Sequence, residues 1–243
     1  MIDYNAASKS YDNTRNASEA LIALFHKTVH FSNATAVLDF GCGTGNYLHL
    51  IQTNYGSRCY GVEPSEGMRI RAKEKNTELI IEPGDHGKIP YPDDFFDFAY
   101  MTDVIHHVPD LGRMFQTIRK VLKQQGKLCV VTESHAQIEA RFYNKYFPSL
   151  AKNEKRRYPD IQDIVHQAEA VGFRLCSVEI RPAPASAVVS APLVRTVEEK
   201  NFSMFRLLSD EEHANGLERL KRDLGTVYET KSAGDSLIWL DSV

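Results

Sequence analysis

Three glycines at alternate positions, Gly41, Gly43 and Gly45, follow Asp39 in the string Val37-Leu38-Asp39-Phe40-Gly41-Cys42-Gly43-Thr44-Gly45-Asn46. Glycine lets a turn take backbone angles closed to other residues and lets a ligand lie against bare main chain. The segment Asn46-Tyr47-Leu48-His49-Leu50-Ile51 can continue as a helix, whose free N–H groups give the loop a partial positive charge. Such a loop suits an anion or a carboxylate-bearing cofactor. A second acid, Glu63, stands 22 residues beyond Gly41, at the end of Arg58-Cys59-Tyr60-Gly61-Val62-Glu63. A carboxylate at a strand tip beside a glycine loop can accept both hydroxyl hydrogen bonds of a ribose. Two adjacent histidines, His106 and His107, add a group that titrates near neutrality. One of them is a candidate general base for a hydroxyl, thiol or amine nucleophile. Neighbouring side chains point in different directions, so joint action is not implied, and packing beneath a helix is the other reading of either ring.

Two phosphate-binding classes fail on spacing. A dinucleotide fingerprint wants glycine at the first, third and sixth positions, and the sixth here is Asn46. A P-loop ends in Gly-Lys-Ser/Thr, and the chain has Gly45-Asn46-Tyr47.

The elements that must hold these residues follow from periodicity. Apolar runs at 36–40, 58–63, 79–82, 127–133, 173–181 and 236–240 read as strands, and 93–101 reads as a turn feeding another. Helices alternate with them. Asn16 with Glu19 reads as the cap of a helix over 17–29, and Ser65 and Met68 open one with Ile70 and Ala72 inward. Asp110 opens a helix with Leu111, Met114, Phe115, Ile118 and Leu122 on one face, closed by Gly126. Asp160 opens another that Gly172 stops. Ser209 with Glu212 reads as a capping box for a helix reaching Gly225. The alternation implies an α/β layered sheet.

With Asp39 two residues ahead of Gly-x-Gly-x-Gly, the chain resembles the class I S-adenosylmethionine-dependent methyltransferases. His106-His107 and the run Arg119-Lys120-Val121-Leu122-Lys123 to Gly126 extend the likeness, which favours small-molecule enzymes of the ubiquinone-biosynthesis type. Its specific motifs span about 36–133, with looser likeness over 1–30 and 160–181. The resemblance implies a doubly wound, seven-stranded, mostly parallel sheet with its last strand antiparallel. It implies S-adenosylmethionine as cofactor and S-adenosylhomocysteine as product. Gly41, Cys42, Gly43, Gly45 and Asn46 would surround the amino-acid end of the cofactor, with Asp39 bracing the loop. Glu63, Pro64, Ser65 and Met68 would lie at the ribose. Gly84, Asp85 and His86 would lie at the adenine, the Asp85 carboxylate accepting from its amino group and the His86 backbone meeting the ring. Thr102 and the residues after it would form the loop beneath the transferred methyl. Tyr11-Asp12-Asn13-Thr14-Arg15 matches a lid segment of the family, with Tyr11 and Arg15 reaching the cofactor carboxylate; a solvated arm is the alternative.

The rest of the chain bounds the partners. Its 243 residues, 42% hydrophobic and 25% charged, fit one globular domain with insertions. A formal charge of −3 points away from nucleic acid, which calls for a concentrated basic surface. The four cysteines lie far apart without a flanking histidine pair, so no metal site or disulfide framework is expected. No run is long and apolar enough for a membrane span, and a cytoplasmic monomer or homodimer is the expectation. Residues 134–159 and 182–234 break the regular alternation and read as helical cap insertions, and residues 182–192 read as an extended connection. In the first insertion, Phe142, Tyr143 and Tyr146 would shape an aromatic substrate pocket, while Lys155, Arg156 and Arg157 form a solvated basic edge. The expected reaction is in-line methyl transfer to oxygen, nitrogen, sulfur or carbon of a small molecule. Two alternatives stand: a nucleic-acid or protein methyltransferase, and a protein that binds the cofactor without transferring its methyl.

Overall fold

The apolar runs become strands of one sheet, and the acids and glycines collect at their carboxyl ends. The computed structural model describes residues 17–181, 183–230 and 234–243. In chain order the elements are α1 (Glu19–Val29), β1 (Ala36–Phe40), α2 (Asn46–Tyr55), β2 (Arg58–Val62), α3 (Glu66–Lys75), β3 (Ile80–Glu82), β4 (Phe96–Thr102), α4 (Leu111–Val121) and β5 (Leu122–Thr132). There follow α5 (His135–Glu139), α6 (Leu150–Lys155), α7 (Ile161–Glu169), β6 (Phe173–Arg181), β7 (Ser186–Val188), α8 (Ala191–Glu198), α9 (Asp210–Arg222), β8 (Val227–Glu229) and β9 (Asp235–Ser242). The seven-stranded sheet has the order β3-β2-β1-β4-β5-β9-β6, mostly parallel with β9 antiparallel. The fold class is the one that the alternation and the resemblance imply.

By contact the chain divides into two units. One comprises the residues up to Thr132, Gln162–Val178 and Leu237–Val243; the other comprises Glu133–Ile161 and Glu179–Ser236. In the first, β1 is buried at all five positions, as a central parallel strand requires. Phe25 of α1 sits edge-on to Phe98 and Trp239 and tilted against Tyr100, with ring centres 5.1–5.9 Å apart. Across β2, β1, β4 and β5 the register aligns Gly61, Asp39, Tyr100 and Cys129.

The second unit has its own apolar cluster, with Tyr146, Phe147, Leu150, Val197, Phe205 and Leu220 buried together. The β7–β8 pair is antiparallel. Gly216 of α9 abuts Phe147 so closely that a Cβ there would lie 2.1 Å from the ring. Beside this cluster the Arg141 guanidinium bridges Glu133 and Glu154, and Arg157 holds the other Glu154 oxygen at 2.7 Å.

Several local expectations are corrected. The helix after Asp110 ends at Val121, not Gly126; Leu122 already belongs to β5, which carries an irregularity between Phe96 and Phe98 of its partner and Gln125 at φ 64°. Gly126 is required by close approach, since a Cβ would lie 2.8 Å from the Lys123 carbonyl oxygen. Ile70 points outward at 51% exposure, and α3 buries Met68 and Ala72. Ser18 caps α1, accepting from Leu21 N–H; Asn16 lies outside the described residues. The Ser209 hydroxyl caps α9, but the Glu212 carboxylate accepts from Ser149 instead of closing the box. Residues 182–192 are not one extended connection, because Ser190 caps α8 with Pro192 in its first turn. Lys155 and Arg157 are ion-paired with Glu139 and Glu154, so the basic edge is engaged, not merely solvated.

Candidate active site

The glycine loop is the join between β1 and α2. Gly41, Gly43 and Gly45 take φ values of 78°, 54° and 72°. At Gly41 the restriction is double: the left-handed angle strains other residues, and a Cβ would lie 2.6 Å from a Val104 methyl. The amides of Gly41 and Cys42 both donate to the Val62 carbonyl, at 2.8 and 3.2 Å, fixing the loop against the end of β2. Lys75, in the last turn of α3, reaches back to the Thr44 carbonyl and hydroxyl at 3.3 Å each and to Asn46 Oδ1.

Glu63 joins the two strand tips. Its Oε2 accepts from Gly43 N–H at 3.0 Å and its Oε1 from Ser65 N–H at 2.8 Å. The group is buried, and burial raises its pKa, with the two backbone hydrogen bonds and the nearby Arg69 opposing the rise. Arg69 also donates to the Glu63 and Pro64 carbonyls, at 2.8 Å each, so the whole Glu63-Pro64 turn is held. Ser65 caps α3 by accepting from Met68 N–H, and Met68 is buried beneath it.

Asp85 sits in a tight turn in which its backbone exchanges two hydrogen bonds with Lys88. Its Oδ1 accepts from Gly87 N–H at 2.8 Å, and Thr117 of α4 holds the His86 carbonyl at 3.2 Å. Gly84 admits this turn because a Cβ there would meet the Lys88 carbonyl at 2.4 Å.

Asp39 is 2% exposed. Its Oδ2 accepts from the Tyr100 hydroxyl at 2.9 Å, while Oδ1 has no hydrogen-bond partner among the described residues. Burial pushes the Asp39 carboxyl up to about 8; the Tyr100 hydrogen bond opposes this, and the Glu63 charge adds to it. An orphaned carboxylate oxygen, a strand-end acid preorganised by backbone amides and a left-handed glycine loop with no room for a Cβ at Gly41 fit a cationic, ribose-bearing cofactor.

After Thr102, Val104 fills the space over Gly41 and a 3₁₀ turn carries Ile105, His106 and His107. The turn buries Ile105; His106 is half-buried and His107 exposed, their rings 4.0 Å apart and tilted by 48°. Thus the structure places Asp39, the glycine loop, Glu63 to Met68, Asp85 and the histidine turn at the carboxyl ends of β1 to β4. Tyr11 and Arg15 lie outside the described residues. Phe142, Tyr143 and Tyr146 belong to the second unit. There Phe142 stacks on Tyr228 at 3.5 Å and Tyr143 meets Phe205 edge-on at 5.1 Å. Tyr146 is buried and donates to Asp223 at 2.7 Å. Sequence reasoning missed Tyr100, Arg69 and Lys75. Only Lys75 carried a local signal, as a basic residue in the last turn of a helix.

A methyltransferase-domain family model matches residues 38–130, the stretch that carries the loop and both strand-end acids. An uncharacterised methyltransferase of Anoxybacillus flavithermus is 34% identical over 157 residues, covering 60% of this chain and 73% of the relative. The chain is an S-adenosylmethionine-dependent methyltransferase. A demethylmenaquinone methyltransferase of Listeria monocytogenes is 28% identical over 130 residues, so this methyltransferase covers only 55% of that relative's length. Its fold is shared by a crystal structure described as a methyltransferase from an antibiotic biosynthesis pathway of Anabaena variabilis. The TM-score is 0.74 at 21% identity, over 93% of this chain and 98% of that one. Among the described residues, no helix of this methyltransferase is long and apolar enough to cross a membrane.

Proposed function

We propose that this methyltransferase moves the methyl group of S-adenosylmethionine to a small-molecule nucleophile by in-line displacement. The observation that carries the reading is the Glu63 bridge: one buried carboxylate fixes Gly43 of the loop and Ser65 of the next helix, so the amino-acid and ribose subsites are preorganised together. Gly41, Gly43 and Gly45 line the amino-acid end, Glu63 takes the ribose hydroxyls and Asp85 the adenine amino group. Tyr11 and Arg15 are the lid contacts. The cofactor supplies an already activated methyl, so the protein's task is alignment and exclusion of water. Alignment can lower the barrier by about 7–11 kcal/mol. His106 or His107 serves as base where the nucleophile must lose a proton. Phe142, Tyr143 and Tyr146 belong to the unit that selects the substrate. A small-molecule substrate is supported by the net charge of −3 and by the name of the Listeria relative.

Calorimetric titration with S-adenosylhomocysteine tests the cofactor site. Wild type binds, and Glu63→Ala binds about 10–100-fold more weakly, the loss of hydrogen bonds to a charged group. Labelled methyl from S-adenosylmethionine is then followed into small-molecule extracts, RNA and protein. Folded wild type that does not bind would remove the reading, and label confined to RNA or protein would transfer it to a macromolecular substrate.

A further inference from the structure

We propose that Tyr100 is a positioning residue for the cofactor, its hydroxyl holding Asp39 Oδ2 so that Oδ1 is kept for the cationic α-amino group of S-adenosylmethionine. The inference rests on the cofactor reading above and adds a residue to it. Tyr100 and Asp39 are register partners on adjacent parallel strands, so their side chains leave the sheet on the same face. Both are buried, Tyr100 completely, and the hydroxyl donates to the carboxylate at 2.9 Å. On the other flank Asp39 faces Gly61, where a Cβ would meet the Cys42 sulfur at 2.5 Å. On its two strand flanks Asp39 therefore meets a hydroxyl on one side, and a thiol and bare backbone on the other. Among the described residues, the ionisable groups that act on it are Tyr100 of β4, Glu63 at the end of β2, Cys42 of the loop and Cys59 of β2. None of these is a cation, and no lysine or arginine pairs with Asp39 among the described residues.

A buried carboxyl with one oxygen satisfied and one orphaned is an incomplete site. Burial without a cation favours the protonated acid, and the Asp39 carboxyl is pushed up to about 8. Burial thus favours a proton on the Asp39 carboxyl of the free protein. When an ammonium group arrives, the carboxyl O–H bond breaks, its electron pair stays on the carboxylate, and the proton leaves to solvent. Tyr100 keeps its own proton, because burial and the neighbouring acid both raise its pKa. Its hydrogen bond stabilises the new carboxylate and prevents it from rotating away from the ligand.

The test is titration of the full chain with S-adenosylhomocysteine, which keeps the α-amino group, in two buffers of different ionisation enthalpy from pH 6 to pH 9. Wild type is expected to release close to one proton per ligand at pH 7 and fewer towards pH 9. Tyr100→Phe binds about tenfold more weakly at pH 7, and the deficit narrows by pH 9 as Asp39 ionises without help. Asp39→Asn binds weakly and releases no proton. Affinity and proton count unchanged in Tyr100→Phe overturn the proposal. Proton release that survives in Asp39→Asn does so too, since Glu63 or another group is then the source. Should Tyr100→Phe not fold, ζ-carbon-labelled tyrosine in the wild type decides. The Tyr100 resonance must shift with the proton-release step and with ligand, and a resonance blind to both overturns the idea. Wild type that binds no S-adenosylhomocysteine refutes the cofactor reading itself, an outcome distinct from these.

Discussion

Gly41→Ala strikes the loop at its tightest point. The residue has φ 78°, and its added Cβ would sit 2.6 and 2.8 Å from the two Val104 methyls. A left-handed backbone costs an alanine about 1–2 kcal/mol. Forced overlap in a packed site costs about 1–3 kcal/mol. Together these predict a loss of roughly 2–5 kcal/mol, or a fall in Tm of roughly 4–20 °C for a chain of this size. The two contributions separate in a double-mutant cycle. Val104→Ala removes both methyls and the overlap with them, but it leaves the backbone cost. The double variant should therefore be about 1–3 kcal/mol more stable than the sum of the single losses. Trp239, the chain's single tryptophan, is buried in β9 of the same unit, so its fluorescence during urea unfolding reports the relevant core. Gly41→Ala within about 0.5 kcal/mol of wild type, the scatter of ordinary surface changes, or strict additivity in the cycle refutes the geometry.

Other perturbations address the second unit and the buried acid. Gly216→Ala gains up to about 1 kcal/mol of helix propensity but meets Phe147 at 2.1 Å. The clash wins, and hydrogen exchange across α9 should speed up while β1 is unchanged; increased protection of α9 would count against the packing. Arg141→Ala leaves the nearly buried Glu154 with Arg157 alone and Glu133 without its guanidinium. A loss of about 3–5 kcal/mol is expected, read as early proteolysis of residues 133–161, and protease resistance equal to wild type contradicts it. For Asp39, the folded carboxyl near 8 lies above the unfolded value near 4, so the folded state holds the extra proton between them. Its contribution to stability is complete below pH 4 and is lost as pH rises through 8. Wild type should fall relative to Asp39→Asn by up to about 4 kcal/mol between pH 4 and pH 7, and parallel stability curves for the two proteins would refute the assignment.

Residues whose signal is local were legible before the fold. Asp39 and the alternating glycines announce a strand, a turn and a helix start within ten positions, and Glu63 ends the next apolar run. That the last strand is antiparallel came from the family resemblance, and its place between β5 and β6 came only from the structure, because periodicity carries no order of strands. Local signals also misled where a non-local contact won. Gly126 looks like a helix cap, yet it is glycine because the chain passes close to the Lys123 and Phe96 carbonyls. Glu212 has capping-box spacing, yet Ser149, 63 residues away, takes its carboxylate. Tyr100 reads as one more apolar strand residue, and nothing in its neighbourhood reveals a hydroxyl donated to an acid 61 residues earlier.

The place of β9 has a consequence for biosynthesis. Thr132 ends β5, and Asp235 begins the strand that must lie against it. At about 5–20 residues per second, a ribosome needs roughly 5–20 s to make the stretch between them. During that interval the nascent chain carries two open strand edges, on β5 and then on β6, each a template for wrong pairing. The second unit is made in the same interval. Its two segments, 133–161 and 179–236, are interrupted by α7 and most of β6, so its cluster of Phe147 and Phe205 cannot assemble from the first segment alone. Translation rate across residues 133–234 therefore sets how long those edges stay open before β9 can cover them.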